Sequence, residues 1–255
     1  MNIETVEDTV DTSQIFLTPS DFIPTSEKQK EYDWSAFTDM KDVRKEFFAI
    51  DATTEISDER INPQMLLEKD ITLSEGNGGP QILIYHTHSQ ESFADSISGD
   101  ANTSIIGAGE YLSGLLQDTY GYEVLHHAGE YDVESRDYAY SNALPNIEAV
   151  LTQYPSIEVA IDLHRDATEN SDGSKIKPVF ADYNGNNAQL MFVVGTNGTG
   201  LKHPDWKENL ALALKLQVQM ERLAPGICRK LNLRGQRFNQ DQSPGALLVE
   251  VGAAG

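Results

Sequence analysis

Residues 81–91 read Gln-Ile-Leu-Ile-Tyr-His-Thr-His-Ser-Gln-Glu, an apolar run that leads directly into histidines and a glutamate. The run at 81–85 is short and apolar, which predicts a strand buried inside a sheet. In parallel α/β sheets, sites form at the carboxyl ends of the strands. This stretch therefore predicts the fold class and also the edge of the sheet that carries the chemistry.

Strand and helix patterns alternate on the C-terminal side of this stretch. Residues 104–120 have apolar side chains near helical spacing and are followed by Gly121, a typical helix end. Residues 206–223 alternate like a strand, but the intervening Ala, Lys, Gln and Glu favour a helix. Further predictions are strands at 122–125, 157–163 and 246–251, a helix with Pro145 in its first turn, and a hairpin of 178–183 and 189–194. The sum is an α/β protein with a mixed, largely parallel sheet and helices on both faces.

Composition and hydrophobic pattern divide the chain into three predicted regions. Residues 1–45 are predicted to be an acidic flexible arm or linker, since 1–33 hold eight acidic and two basic residues. Residues 46–80 are predicted to be a peripheral N-terminal segment. Residues 81–255 are predicted to form the catalytic domain.

The charge balance and the single cysteine exclude several classes of function. The formal net charge is -21, so nucleic acid and anionic lipid are repelled. Anionic wall polymers are repelled too, so a local groove must hold any such substrate. Cys228 is the only cysteine, which excludes an intramolecular disulfide and a cysteine-based zinc site.

Polar residues at three predicted strand ends have the composition of a catalytic zinc site. His88 and Glu91 form an H-x-x-E pattern, and His164 follows a neighbouring strand. Two histidines and a glutamate, with water in the fourth position, are a known catalytic set for Zn2+. Glu250 lies within the apolar run Leu-Leu-Val-Glu-Val, where ionisation is costly, and is predicted to be the general base and acid.

Alternatives for these assignments remain open at the level of sequence. His86 points to the same side of the strand as His88, and His88 is favoured because its spacing to Glu91 closes more compactly. Asp100 or Glu110 could replace Glu91 as the acidic ligand. With His88 as the ligand, His86 and Arg165 would support a ligand or contact substrate. Other polar residues have a structural interpretation: Glu250 could pair with Arg165 or Arg237, and His126, His127 and His203 would be surface residues.

The same residues resemble the stage II sporulation protein P family. The resemblance rests on the segments at 82–93, 162–166, 193–197, 203–209, 237–240, 243–245 and 248–252, which match in one order. It covers roughly residues 66–255. His88, His164 and Glu250 stand at the places of the family's zinc-binding histidines and catalytic glutamate.

The resemblance implies an amidase/zinc-carboxypeptidase-like fold and the activity of a zinc-dependent N-acetylmuramoyl-L-alanine amidase. Such enzymes cut peptidoglycan between the lactyl group and the first L-alanine, and are also credited with cutting cross-links. The implied role is in spore engulfment, with a lytic transglycosylase partner and a membrane scaffold. The implied location is extracytoplasmic, anchored in the membrane and facing the cell wall.

Two departures from the family pattern carry expectations of their own. The anchor expected before the arm is absent, and the chain stops at Gly255, where a covering helix is expected. The last strand is therefore expected to expose one face to solvent. Two rival functions also remain: a zinc carboxypeptidase or endopeptidase acting on soluble peptides, with Arg165 or Arg237 binding the carboxylate, and a non-catalytic wall-binding scaffold.

Overall fold

A seven-stranded sheet forms the centre of the protein in the computed structural model, which describes residues 40–52, 63–74, 78–182 and 185–255, with residues 32, 54, 61 and 76. The seven strands are β1 (Phe48–Ile50), β2 (Ile82–Tyr85), β3 (Val124–His127), β4 (Val159–Asp166), β7 (Leu190–Gly195), β8 (Leu231–Arg234) and β9 (Ala246–Ala253). Their order across the sheet is β1-β8-β7-β9-β4-β2-β3. A separate hairpin consists of β5 (Val179–Asp182) and β6 (Gly185–Ala188).

The sheet consists of two parallel blocks that meet in an antiparallel pair. Strands β9, β4, β2 and β3 run parallel to one another, and so do β1, β8 and β7. Strand β7 pairs with β9 in the antiparallel sense. The carboxyl ends of β2, β4 and β9 consequently lie at one edge. This arrangement confirms the predicted mixed, largely parallel sheet.

Helices cover both faces of the sheet. The helices are α1 (Met40–Phe47), α2 (Pro63–Glu68), α3 (Ile105–Asp118), α4 (Ala139–Gln153) and α5 (Trp206–Leu223). One core contains Ile84 of β2 with Ile105 of α3 and Leu210 of α5. The other contains Tyr85 of β2 with Ile147 of α4. Because neighbouring residues of a strand point to opposite faces, these two cores lie on opposite sides of the sheet. The prediction of helices on both faces is confirmed.

Local signals account for the ends of α3. The Ser104 side chain accepts a hydrogen bond from the backbone N–H of Ile106, which is the usual N-cap contact. After the helix, Gly121 has a φ of 74°, a conformation that glycine adopts without steric cost. The helix predicted at 104–120 therefore forms with nearly the predicted bounds.

Two local predictions were wrong. Helix α4 begins at Ala139, so Pro145 lies inside it rather than in its first turn; Ala139 and Ala143 are fully buried and extend the helix in the N-terminal direction. In the hairpin, Gly185–Ala188 forms the second strand instead of the turn. The apolar residues of β7 join the central sheet because Phe192 and Val194 pack into the core.

The expected open face of the last strand is also wrong. Strand β9 lies between β4 and β7, and six of its eight residues are buried, all except Glu250 and Val251. Central strands are covered on both faces by the neighbouring helices and by connecting segments.

Most of the predicted arm, residues 1–31 and 33–39, lies outside the described residues. Its last part, from Met40, belongs to α1, which packs Val43 and Phe47 into the core. None of the helices in the described part of the chain combines the length and the apolar character needed to cross a bilayer.

Candidate active site

Three neighbouring strands bring the predicted site residues to one edge of the sheet. His88 and Glu91 lie on the loop that follows β2, His164 lies near the end of β4, and Glu250 lies near the end of β9. His164 is directly opposite Glu250 in the β4–β9 pairing. Residues paired in this way have side chains on the same face of a sheet.

His88 and His164 face each other, with Glu91 beside them. The ring centroids of His88 and His164 are 5.3 Å apart, and the rings are nearly perpendicular. His164 Nδ1 lies 3.6 Å from Glu91 Oε2. All three side chains are buried, with Glu91 only 1% exposed. The structure therefore brings together the three residues that the H-x-x-E pattern and the later histidine predict.

Glu91 is a buried carboxylate held by strong donors. Its Oε1 accepts a hydrogen bond from the Arg136 guanidinium at 2.6 Å, and its Oε2 accepts one from the backbone N–H of Arg165 at 2.7 Å. Burial alone raises the pKa of Glu91, but His164, the Arg165 backbone and Arg136 together lower it to about 2. Glu91 is therefore ionised at any pH at which the protein is expected to work.

His164 lies between two carboxylates. Its Nε2 is 2.8 Å from Asp162 Oδ1, at ion-pair distance, although the ring N–H does not point along that line. Asp162 is held in turn by the backbone N–H and the hydroxyl of Thr87. Burial lowers the pKa of His164, but Asp162 and Glu91 outweigh it and raise that pKa well above its usual range. A carboxylate behind a histidine is the usual device for orienting a metal ligand.

Glu250 is the one predicted acid that no base neutralises directly. Its Oε2 is buried without a hydrogen-bond partner in the described part of the chain, and Arg237 pairs with Asp241 instead. Burial raises the pKa of Glu250 to about 7. A carboxyl group that titrates near neutrality beside the histidines is suited to proton transfer.

The alternative acidic ligands lie elsewhere. Asp100 caps a short 3-10 helix by accepting a hydrogen bond from the backbone N–H of Asn102. Glu110 is 74% exposed at its side chain and pairs with His126, at 2.8 Å from Nδ1. Glu91 is the only one of these three acids that contacts His164 in the described structure.

His86 belongs to a separate chain of hydrogen bonds. The ring is fully buried, its Nδ1 donates to the Leu163 carbonyl oxygen at 2.9 Å, and its Nε2 lies 2.9 Å from Nε2 of His126. Burial lowers the pKa of His86 to about 4, so the ring is neutral near pH 7. His86 thus holds the backbone of β4 next to His164 and has no surface for substrate.

Helix α3 approaches this histidine pair closely at Gly109. A Cβ added there would lie 2.6 Å from His86 Nε2 and 2.8 Å from His126 Nε2. Gly109→Ala is expected to destabilise the protein by about 1–3 kcal/mol, because the added methyl overpacks the pair. Gly114→Ala, on the same helix with nothing within 4 Å of the new Cβ, is the matched control and is expected to stabilise by about 0.5–1 kcal/mol. Urea unfolding of both variants checks this, and equal stabilities would contradict the close packing.

The surface prediction for the other histidines was wrong. His126 and His127 lie within β3 and are half-buried, and His203 is 2% exposed. His203 packs against Asn209 in a buried polar cluster, with its Nε2 3.3 Å from Asn209 Nδ2. Pro204 beside His203 indicated a loop, and a loop residue can still be buried under its neighbours.

Several residues of the site carry no signal in the sequence. Arg136 and Tyr140 come from the connection before α4 and from its first turn, and Tyr140 packs against both His88 and His164. Asp132 lies 3.5 Å from His88 Nδ1 and accepts a hydrogen bond from Ser89. Arg165, predicted to support the site, contributes its backbone N–H to Glu91. No spacing rule connects such residues to a strand-end histidine.

The donor set suits a zinc ion in chemistry, although the side chains do not stand in ligating positions. Across the described residues, no three His, Cys, Asp or Glu side chains are arranged to hold a metal ion. His88 Nδ1 is nevertheless buried without a hydrogen-bond partner, and so is Glu250 Oε2. Buried polar atoms are rarely left unpaired, so these two indicate a missing partner at this edge.

A groove opens beside the loop that follows β2 and carries His88 and Glu91. It has a volume of about 500 Å³ and is lined by Ser89, Gln90, Ser92, Asp100 and Glu130 among others. Its lining is rich in hydroxyl and carboxylate groups and contains no Lys or Arg. The lining therefore offers hydroxyl groups for hydrogen bonding and no positive charge.

Comparison with known proteins agrees with the motif resemblance. The family model of Stage II sporulation protein P (SpoIIP) matches residues 11–255. Stage II sporulation protein P of Bacillus subtilis (strain 168) is 27% identical over 191 residues, covering 67% of this chain and 45% of that protein, so the match spans less than half of the relative's length.

Among solved structures, N-acetylmuramoyl-L-alanine amidase AmiC2 of Nostoc punctiforme aligns with this chain at a TM-score of 0.43 and 14% sequence identity. The alignment covers 70% of this chain and 82% of the amidase chain. That overlap is too low to support an argument about function. The family match, by contrast, runs through nearly the whole chain, including His88, Glu91, His164 and Glu250. The protein belongs to the stage II sporulation protein P family.

Proposed function

We propose that this protein is a zinc-dependent N-acetylmuramoyl-L-alanine amidase that acts on peptidoglycan in spore engulfment. The observation that carries the proposal is the convergence of His88, Glu91 and His164 at one sheet edge, beside Glu250, whose Oε2 is buried without a hydrogen-bond partner in the described part of the chain. Membership of a sporulation family supports the biological setting.

In this proposal, His88, Glu91 and His164 would hold the zinc ion. Bound zinc would supply Lewis-acid polarisation of the scissile carbonyl. Asp162 orients the His164 ring, and His164, the Arg165 backbone N–H and Arg136 keep the Glu91 carboxylate ionised. Two histidines and one carboxylate are donors that suit zinc among the common divalent ions.

Glu250 would move the proton. Its carboxylate accepts a proton from the attacking water and passes it to the leaving nitrogen, so that the stem peptide departs as a neutral amine. The pKa of about 7 places this group near the point at which it can both accept and release a proton. The pKa of the neighbouring Glu91, by contrast, is lowered to about 2.

Zinc content tests which histidine is the ligand. About one zinc per chain is expected in the purified protein by elemental analysis. We expect His88→Ala to lose the metal, because the ring faces His164. His86→Ala is the matched control and is expected to keep the metal, because both His86 nitrogens are engaged with Leu163 and His126.

Two results would change the assignment. Loss of zinc with His86→Ala alone would move the ligand by two positions and leave the function standing. Absence of zinc from every form, even after zinc is added, would remove the chemistry and favour a wall-binding scaffold.

Product analysis tests which bond of peptidoglycan the protein cuts. Intact peptidoglycan should release stem peptides with a new amino group on L-alanine, while the glycan strands stay uncut. Soluble stem peptides without sugar should be cleaved slowly or not at all. Cleavage of soluble peptides at a rate equal to that on intact wall would favour the carboxypeptidase or endopeptidase function instead.

The cellular setting is part of the same proposal. Family membership supports an extracytoplasmic protein that faces the cell wall. In this proposal a membrane anchor would hold it there, and a lytic transglycosylase partner and a membrane scaffold would complete the engulfment machinery. Co-purification of the protein with a glycan-cutting enzyme tests the first of these partners.

A further inference from the structure

Tyr140, in the first turn of α4, forms a wall of the candidate site. Its ring is nearly parallel to that of His164, at 13° with centroids 6.4 Å apart. It meets the ring of His88 edge-on, with centroids 5.5 Å apart. Tyr140 is the aromatic residue in the described structure that contacts both candidate histidine ligands.

The Tyr140 hydroxyl is free to act as a donor. The phenol of a tyrosine carries its proton near pH 7 and can donate it in a hydrogen bond. Within the described residues no hydrogen bond uses this hydroxyl, and the side chain is only half-buried.

A strained turn supports Tyr140 from behind. Phe238 and Asn239 are consecutive non-glycine residues with φ values of 53° and 55°. The Phe238 ring packs against Tyr140 with centroids 5.5 Å apart, and Asn239 Nδ2 donates to the Tyr140 carbonyl oxygen at 2.8 Å. Left-handed conformations of such residues are unfavourable and are typically kept where they serve a site.

We propose that Tyr140 is a catalytic residue whose hydroxyl donates a hydrogen bond to the carbonyl oxygen of the scissile amide as that oxygen gains negative charge. The inference rests on the proposed function and adds a residue to it. Fixed donors aimed at developing charge are among the strongest contributions to catalysis. The competing interpretation is a side chain that only packs against the histidines.

Tyr140→Phe separates the two interpretations, because it keeps the ring and removes the hydroxyl. We expect kcat on intact peptidoglycan to fall about 100-fold or more, with KM changed by less than about three-fold. Zinc content and melting temperature should match the wild type, since the ring contacts are retained. Tyr138→Phe, a neighbouring tyrosine that is 66% exposed, is the matched control and should leave kcat unchanged.

Each outcome distinguishes a catalytic role of Tyr140 from a structural one. A Tyr140→Phe variant with kcat within about two-fold of an active wild type overturns the catalytic role and leaves the proposed function intact. A variant that loses zinc or unfolds at a lower temperature also overturns it, because the residue then acts through the structure. A wild type without activity on any peptidoglycan overturns the proposed function and this role together.

Discussion

Glu250→Gln is expected to abolish hydrolysis, to leave zinc bound, and to make the metal-free protein more stable at pH 8. Activity is lost because glutamine cannot accept the proton from the attacking water. Zinc stays because the three candidate ligands are unchanged. Stability rises because the substitution removes a carboxylate that is buried without a hydrogen-bond partner at Oε2.

The sign of the stability change follows from the raised pKa of Glu250. Burial moves that pKa from 4.5 to about 7 in the folded protein. Between these values the folded state binds more protons than the unfolded state, so the free energy of unfolding falls as pH rises. The shift corresponds to a loss of about 3 kcal/mol, complete above pH 7. Glu250→Gln has no carboxyl group at this position, so its free energy of unfolding does not fall in this way.

Urea unfolding in a zinc chelator, at pH 4 and pH 8, measures the effect. The advantage of Glu250→Gln over the wild type should be larger at pH 8 than at pH 4. Glu148→Gln, which changes an exposed carboxylate on α4, is the control and should alter neither activity nor the pH dependence. Normal turnover by Glu250→Gln would exclude the proposed proton transfer.

His164→Ala is expected to lose zinc, activity and stability together. Its ring lies between Asp162 and Glu91, whose carboxylates raise its pKa and give it a positive charge in the metal-free protein. Without the ring, two carboxylates that are at most 1% exposed lose a shared cation. Removing one partner from a buried charge cluster typically costs about 3–5 kcal/mol.

The control for His164→Ala is His127→Ala, on β3, which is separated from β4 by β2. His127 Nε2 contacts the Tyr131 hydroxyl and lies outside the candidate ligand set. This variant should keep its zinc and its turnover. A His164→Ala protein with one zinc per chain would show that the metal is held elsewhere, whatever its activity.

The packing around the strand ends distinguishes His86 from His88. The two residues are two positions apart and point to the same side of the strand, and only the H-x-x-E spacing favoured His88 in the sequence. In the structure, His86 is enclosed by the Leu163 carbonyl oxygen and His126, while His88 faces His164. The difference depends on what β3 and β4 place beside each ring, and both strands are distant from β2 in sequence.

Local pattern in the sequence was sufficient for the elements that bury long apolar runs. The strand at 82–85 and the helix at 105–118 follow from hydrophobic pattern and from cap residues. The helix at 206–223 follows from the helix propensity of its Ala, Lys, Gln and Glu residues, against an alternation typical of a strand. The same local chemistry identified Glu250, since a carboxylate within an apolar run is unusual in any sheet.

Only the tertiary structure decided the order of the strands and the residues that surround the site. The antiparallel pairing of β7 with β9 and the short strands β1 and β8 depend on contacts between distant segments, which leave no periodic trace in the chain. Arg136 and Tyr140 reach Glu91 and His164 because α4 packs on one face of the sheet. A polar residue in a connecting segment looks the same in sequence wherever that segment folds, so its role is determined by three-dimensional proximity alone.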